Sequence, residues 1–194
     1  MTDFTIHSID SAPEAARPML EATRRVFGGV PNLYAITAES PQVLEAYQVL
    51  QRLSMESGLS AVARNVVWLA ASCANNCHYC MAGHSAMAGS QGTPQDVIDD
   101  LREGRPLPDP KLEAIRVFAT EIVEMRGDIS EACTRAFLDS GYTERDILDV
   151  LLAVTQKTLS KYVNHFADTP LDRGMEAFAW NHPNKRPTTQ GAAR

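Results

Sequence analysis

A long hydrophobic run is missing from this 194-residue sequence. A membrane-spanning helix needs about 18 consecutive apolar residues, and the most apolar segment here, residues 66–71, is far shorter. The N-terminal residues 1–6 also lack the basic region and the apolar stretch of a secretory signal. We therefore expect a cytoplasmic protein with no membrane partner.

Positive charge is scarce as well. Lysine and arginine number 18 against 24 aspartate and glutamate residues, which gives a formal net charge of −6. Proteins that bind nucleic acids need a basic patch to neutralise phosphates, and the basic residues here cluster only as short pairs such as Lys185-Arg186. We expect no nucleic-acid partner. With 44% hydrophobic and 22% charged residues, the composition is that of an ordinary globular protein.

Hairpin signals are absent, because no Asn-Gly or Asp-Gly pair separates alternating apolar residues. Apolar residues instead recur with helical spacing along almost the whole chain. The sequence predicts an all-α bundle of about eight to ten helices. Their expected positions are from Pro13 to the Gly28-Gly29 stop, 31–38, from Pro41 to Gly58, a helix capped by Ser60, one from about Cys77 to Gly89, one opened by Thr93-Pro94, and then 110–126, 130–140, 143–162 and 165–180.

One clear linker divides the chain. Residues 104–110 hold three prolines in seven positions, a composition that breaks a helix. We expect a single helical domain over residues 1–180, with halves at about 13–103 and 110–180. Residues 181–194 are polar and rich in helix breakers, which predicts a flexible tail or an oligomer arm.

Cysteine is sparse, but its placement is informative. The chain has four cysteines, and in a cytoplasmic protein these indicate catalysis, redox sensing or metal binding more than structural disulfides. Cys77, Cys80 and His84 are spaced i, i+3 and i+7, so on a helix their side chains share one face. The pair Asn75-Asn76 predicts a break before Cys77, and a helix start stabilises thiolates. The pattern predicts a redox-active dithiol, with Cys77, Cys80 and His84 as catalytic residues.

Two alternatives for these cysteines are a metal site and an inert core. Cys73, Cys77, Cys80 and His84 offer three sulfurs and a nitrogen to zinc, but structural zinc sites usually draw on two separated pairs of ligands. A buried cysteine can also be an ordinary small core residue, which is our interpretation of Cys133. We expect no metal and no cofactor-binding residues.

The chain resembles a known family in these segments. Residues 66–84, VVWLAASCANNCHYCMAGH, are similar to the AhpD-like alkylhydroperoxidase branch of the carboxymuconolactone decarboxylase superfamily. The resemblance covers roughly residues 15–178 and points to the uncharacterised peroxidase-related subgroup. The other segments that match this family are residues 126–127 (RG), 137–142 (FLDSGY) and 157–172 (KTLSKYVNHFADTPLD).

The resemblance implies an all-helical fold, assembly into homo-oligomers, and reduction of hydroperoxides with electrons from an unidentified thiol donor. It implies that Cys80 attacks the peroxide, that Cys77 donates a proton and then closes the disulfide, and that His84 belongs to the proton relay. The helix start alone would favour Cys77 as the more acidic thiol.

One position departs from the family pattern. The family relay includes a glutamate at the position of Asn65, and an asparagine accepts no proton at neutral pH. Asn65 and His165 are therefore only possible members of a relay around the dithiol. Two alternatives to the peroxidase stay open: a redox-responsive binding or scaffold protein without efficient turnover, which the departure favours, and an enzyme of the carboxymuconolactone decarboxylase type, against which the cysteine pair weighs.

Overall fold

The computed structural model describes residues 4–184 and is helical throughout. Within these residues the chain forms nine α-helices and two short 3₁₀ helices, Glu14–Ala16 and Arg173–Phe178, with no β-strand, which confirms the all-α prediction. None of these helices is long and apolar enough to cross a membrane. The α-helices are α1 (Arg17–Phe27), α2 (Asn32–Thr37), α3 (Pro41–Met55), α4 (Ala61–Ala74), α5 (His78–Ser90), α6 (Gln95–Glu103), α7 (Pro110–Glu124), α8 (Glu131–Asp139) and α9 (Glu144–Ala167).

Local signals account for most helix ends. Gly28 ends α1 in a left-handed conformation with φ 75°, which costs glycine little. The Ser60 hydroxyl accepts a hydrogen bond from the Ala63 amide at 3.2 Å and so caps α4, as predicted. Pro110, which we assigned to the linker, begins α7, where a proline in the first turn breaks no hydrogen bond.

The prediction of separate helices over 143–162 and 165–180 is wrong. Helix α9 continues without interruption to Ala167, and after it the chain forms only the 3₁₀ helix. Asp168 ends α9 in the left-handed region with φ 46°, and Thr169 and Pro170 follow directly. A proline just after the helix end cannot continue the hydrogen-bond ladder. His165 therefore lies in the last turn of α9 and not in a new helix.

A central hydrophobic cluster surrounds α4. Val66, Val67, Trp68 and Leu69 are all buried, so this helix has no solvent-facing side there. It packs against α5, α6, α7 and α9, and helices from both sides of the proline-rich linker contribute to the cluster. The division into halves and a tail stays a prediction, and residues 185–194, with the Lys185-Arg186 pair, lie outside the described residues.

A second hydrophobic cluster joins the N-terminal helices to the start of α5. It includes Leu20 of α1, Leu33 of α2 and Leu44 of α3, together with both members of the cysteine pair, Cys77 and Cys80. Helix α3 also packs against α9. The dithiol thus lies at the junction between the N-terminal helices, α5 and α9.

Candidate active site

The cysteine pair is built by a tight turn and a helix start. Asn76 adopts a left-handed conformation with φ 50°, so the chain reverses immediately before Cys77. Cys77 occupies the N-cap position of α5, where its sulfur accepts the Cys80 amide at 3.3 Å. The two Cα atoms lie 5.3 Å apart and the side chains are joined as a disulfide, a separation usual for such a bond. The turn places a closed Cys-x-x-Cys ring at the positive end of a helix.

The two sulfurs differ in their access to a cavity. Cys77 has no exposed surface, and Cys80 is 4% exposed. A cavity of about 620 Å³ opens beside the pair, and Cys80 lines it whereas Cys77 does not. Among the side chains that give this cavity its apolar wall are Phe27, Leu33, Tyr34, Tyr47, Met87 and Met175. A molecule in the cavity would therefore meet Cys80 first.

Helix α9 supplies polar groups to the dithiol. The Asn164 amide nitrogen lies 3.4 Å from the Cys80 sulfur and 3.8 Å from the Cys77 sulfur. The Ser160 hydroxyl lies 3.8 Å from the Cys80 sulfur. Sequence reasoning missed both residues. The available signal was the i, i+3, i+7 spacing of Lys157, Ser160 and Asn164, which places three polar side chains on one helix face.

His84 lines the same cavity one helical turn beyond Cys80. Its ring packs against Trp68 with the ring centres 4.9 Å apart, and its Nε2 accepts a hydrogen bond from the Lys157 amine. Burial, and secondarily the nearby Lys157 charge, hold the pKa of His84 well below its usual 6.5. The imidazole is therefore neutral near pH 7. Within residues 4–184 its Nδ1 atom has no hydrogen-bond partner.

Lys157 is a second functional residue that sequence reasoning missed. Its side chain is 2% exposed, and burial lowers the pKa of its amine from 10.5 to about 7. A buried amine loses its hydration, so the uncharged form gains relative to the ammonium. The amine contacts His84 and lines the cavity with Cys80. Two nitrogen bases thus share a hydrogen bond at the edge of the cavity.

The two possible relay residues lie elsewhere. Asn65 is buried, and its amide donates to the Gln91 side chain at 3.1 Å and to the Thr93 hydroxyl at 3.0 Å. It is not among the residues that line the cavity, nor is His165, whose side chain is exposed. Asn164, the residue before His165, faces the sulfurs instead, because neighbouring positions on a helix point about 100° apart.

The two other cysteines, Cys73 and Cys133, interact with residues outside the cysteine pair. The Cys73 sulfur lies 3.8 Å from Nε2 of His182. Burial, and secondarily a hydrogen bond to Glu121, raise the pKa of the Cys133 thiol to about 12, so this thiol is protonated at neutral pH. In the part of the chain that the structure describes, no three His, Cys, Asp or Glu side chains are arranged to hold a metal ion.

Comparisons with known proteins point to one superfamily. Residues 41–105 match the model of the carboxymuconolactone decarboxylase family. An AhpD-core, uncharacterized peroxidase-related protein from Ralstonia eutropha superposes with a TM-score of 0.78 at 21% identity, over 89% of this chain and 93% of that one. A peroxidase-related protein from a Silicibacter species gives a TM-score of 0.75 at 23% identity, over 90% and 92% of the two chains.

A third similar structure is the debrominase Bmp8, as an alanine variant in complex with 2,3,4-tribromopyrrole. It superposes with a TM-score of 0.78 at 14% identity, over 92% of this chain and 96% of the other. No curated protein matches the sequence. The match over residues 41–105 supports the predicted relation to the carboxymuconolactone decarboxylase family, and the similar structures show that the chain has the AhpD-like all-α fold.

Proposed function

We propose that this chain, assigned to the AhpD-like carboxymuconolactone decarboxylase superfamily, is a thiol-dependent peroxidase that reduces organic hydroperoxides with its Cys77–Cys80 dithiol. The observation that carries the proposal is the unequal placement of the two sulfurs. Cys80 lines the 620 Å³ cavity, and Cys77 lies behind it at disulfide distance. A peroxide in the cavity would reach Cys80, and the resulting product could be resolved by Cys77 without a large movement of the backbone.

The first step oxidises Cys80. Its thiolate attacks one peroxide oxygen, the O–O bond breaks, and the products are a Cys80 sulfenic acid and an alkoxide. The alkoxide takes a proton and leaves as the alcohol. We assign the transfer of the proton from the Cys77 thiol to His84, which lines the cavity and whose lowered pKa keeps the imidazole uncharged near pH 7.

The second step closes the disulfide. The Cys77 thiolate attacks the Cys80 sulfur, the S–O bond breaks, and the hydroxide leaves as water with the proton that Cys80 released when it became a thiolate. The Asn164 amide, within 3.4 Å of the Cys80 sulfur, can donate to negative charge on that sulfur. An external dithiol then reduces the disulfide by two exchange reactions and restores both thiols. We propose a separate thiol protein or small dithiol as this electron donor.

The test is hydroperoxide consumption with dithiothreitol as the reductant. We expect catalytic turnover of cumene hydroperoxide by the wild type and a loss of at least about 100-fold in Cys80→Ser, because no other described residue that lines the cavity carries a thiol. Cys77→Ser should accumulate a Cys80 sulfenic acid, which dimedone labels and mass spectrometry detects. Cys133→Ser is the matched control and should retain full turnover.

Three outcomes would contradict the proposal. Full activity in Cys80→Ser would rule out this mechanism. Consumption of a single equivalent of peroxide, without further turnover, would indicate a redox-responsive binding or scaffold protein. Turnover of carboxymuconolactone that survives the loss of both cysteines would indicate the decarboxylase reaction of the superfamily.

A second candidate reaction is reductive debromination of an aromatic ring. The apolar and aromatic cavity wall beside Cys80 favours it, and one structural neighbour is a debrominase. The dithiol would supply two electrons: a carbon–bromine bond breaks, a carbon–hydrogen bond forms, bromide leaves, and Cys77 and Cys80 become a disulfide. Bromide release from 2,3,4-tribromopyrrole by the reduced protein, lost in Cys80→Ser, is the result that would support this reaction. Hydroperoxide turnover without bromide release would exclude it.

A further inference from the structure

A buried lysine in a predominantly apolar cavity favours an anionic partner. Lys157 is 2% exposed, and within residues 4–184 its amine pairs with no carboxylate and hydrogen-bonds to His84. A buried ammonium without a counter-ion is costly, whereas a buried ion pair with good hydrogen bonds is tolerated. Next to it, Nδ1 of the 95%-buried His84 also has no partner among the described residues. Both groups line the cavity.

The carboxylate that does line the cavity is already occupied. Asp172 accepts the Tyr79 hydroxyl at 2.6 Å on one oxygen and the Asn32 amide at 2.9 Å on the other. These bonds hold Asp172 on the side of the cavity formed by α2 and the start of α5. Asp172 is therefore not the counter-ion of Lys157, and its charge is stabilised away from the lysine.

Lys157 precedes by one helical turn the residue of α9 that contacts the reactive sulfur. Ser160, which contacts Cys80, follows Lys157 by three residues on α9, and His84 follows Cys80 by four residues on α5. One helical turn spans about 5.4 Å, which is close to the width of an aromatic ring. An acid group on Lys157 would leave the far side of a ring-sized molecule beside the Cys80 sulfur.

We propose that the cavity binds an apolar organic acid as its carboxylate, with the anion on the Lys157 ammonium and the hydrocarbon part against Tyr34, Tyr47 and Met87. The inference rests on the proposed function only in taking Cys80 as the group that reacts. The hydroperoxide that this site prefers is then one that carries a carboxylate about one ring away from its peroxide group.

The test uses the disulfide form of the full chain, so that binding is measured without any chemistry. The probes are naphthalene-2-carboxylate and its neutral isostere naphthalene-2-carboxamide, titrated by calorimetry at pH 6.5. We expect the carboxylate to bind at least tenfold more tightly, the ratio that one charge-assisted hydrogen bond supplies. In Lys157→Met and Lys157→Gln this preference should fall to about onefold, with the affinity for the amide changed much less than that for the acid.

Lys161→Met is the matched control, because Lys161 lies one turn further along α9 with its amine over the Tyr162 ring at 4.8 Å. This variant should keep the tenfold preference. Equal affinities of wild type for acid and amide, or a preference that survives in both Lys157 variants, would overturn the inference. Circular dichroism separates these outcomes from misfolding, and the peroxidase assay with neutral cumene hydroperoxide tests the proposed function independently.

Discussion

Lys157 shows how burial changes the chemistry of a single side chain. Its amine has a pKa of about 7 in the folded protein, against 10.5 for an exposed lysine. Between these pH values the unfolded chain binds more protons than the folded chain. The contribution of Lys157 to the free energy of unfolding therefore increases as the pH rises from 7 toward 10.5. This contribution is lost when the pH falls back through 7. The imidazole of His84 stays neutral there, since its pKa lies well below 6.5.

A pH titration of stability tests this assignment. From pH 7.5 to 9.5 we expect the free energy of unfolding of the wild type to rise by about 2 kcal/mol relative to Lys157→Met. Urea unfolding of both proteins in the disulfide form provides the measurement. Lys161→Met should follow the wild type. Parallel curves for the wild type and Lys157→Met would mean that the pKa of Lys157 is not lowered.

Helix α9 is the element that organises the site from one side. It carries Lys157, Ser160 and Asn164 on one face, and its start is fixed by a capping box between Thr143 and Asp146. The Thr143 hydroxyl accepts the Asp146 amide at 3.3 Å, and the Asp146 carboxylate accepts the Thr143 amide at 2.8 Å. The cap lies 14 residues before Lys157, about 21 Å along the helix axis. The cap should therefore affect stability without reaching the dithiol.

Removing this cap should separate stability from activity. Thr143→Ala is expected to lower the free energy of unfolding by about 1 kcal/mol, since the Asp146 amide at the helix start loses its acceptor. The peroxidase rate at 25 °C should stay within about twofold of the wild type. Thr155→Ala, at an exposed position in the middle of the same helix, should change stability by less than about 0.5 kcal/mol. A large loss of activity in Thr143→Ala would show that unfolding at the start of α9 extends to the residues that contact the dithiol.

The molecule as a whole has two hydrophobic clusters with different relations to the site. The larger one surrounds α4 and contains the ring stack of Phe118, Phe137 and Tyr142, with ring centres 4.2 Å and 4.4 Å apart. The smaller one contains Leu44 and the dithiol itself. Loss of packing in the smaller cluster should therefore expose the sulfurs first.

Two core substitutions distinguish the clusters. Leu44→Ala and Phe137→Ala should each lower the free energy of unfolding by about 3 kcal/mol, because both side chains are completely buried. Under native, reducing conditions, only Leu44→Ala is expected to speed alkylation of Cys77 and Cys80 by iodoacetamide, as measured by peptide mass spectrometry. Equal alkylation rates in the two variants would show that the dithiol opens only with global unfolding. Assembly into a homo-oligomer stays a prediction, which light scattering can measure.

The sequence by itself determined the features that depend on neighbours along the chain. Helical periodicity, the break at Asn75-Asn76, the position of Cys77 at the start of a helix and the cap at Ser60 all follow from local hydrogen bonding and backbone sterics. Local spacing also placed Cys80 and His84 on one face of a single helix. These predictions agree with the structure because each involves residues within about two turns of one another.

Only the tertiary structure decided which distant side chains reach the dithiol. Lys157 and Asn164 come from a helix more than 70 residues away in sequence. His165 follows Asn164 on that helix and points about 100° away from it, so its side chain does not line the cavity. Asn65 turns toward Gln91 and Thr93 instead of the cavity. The lowered pKa of Lys157 likewise arises from burial, at a place where its amine meets His84 of α5. Such contacts depend on how helices pack, and helix packing is not encoded in any short stretch of sequence.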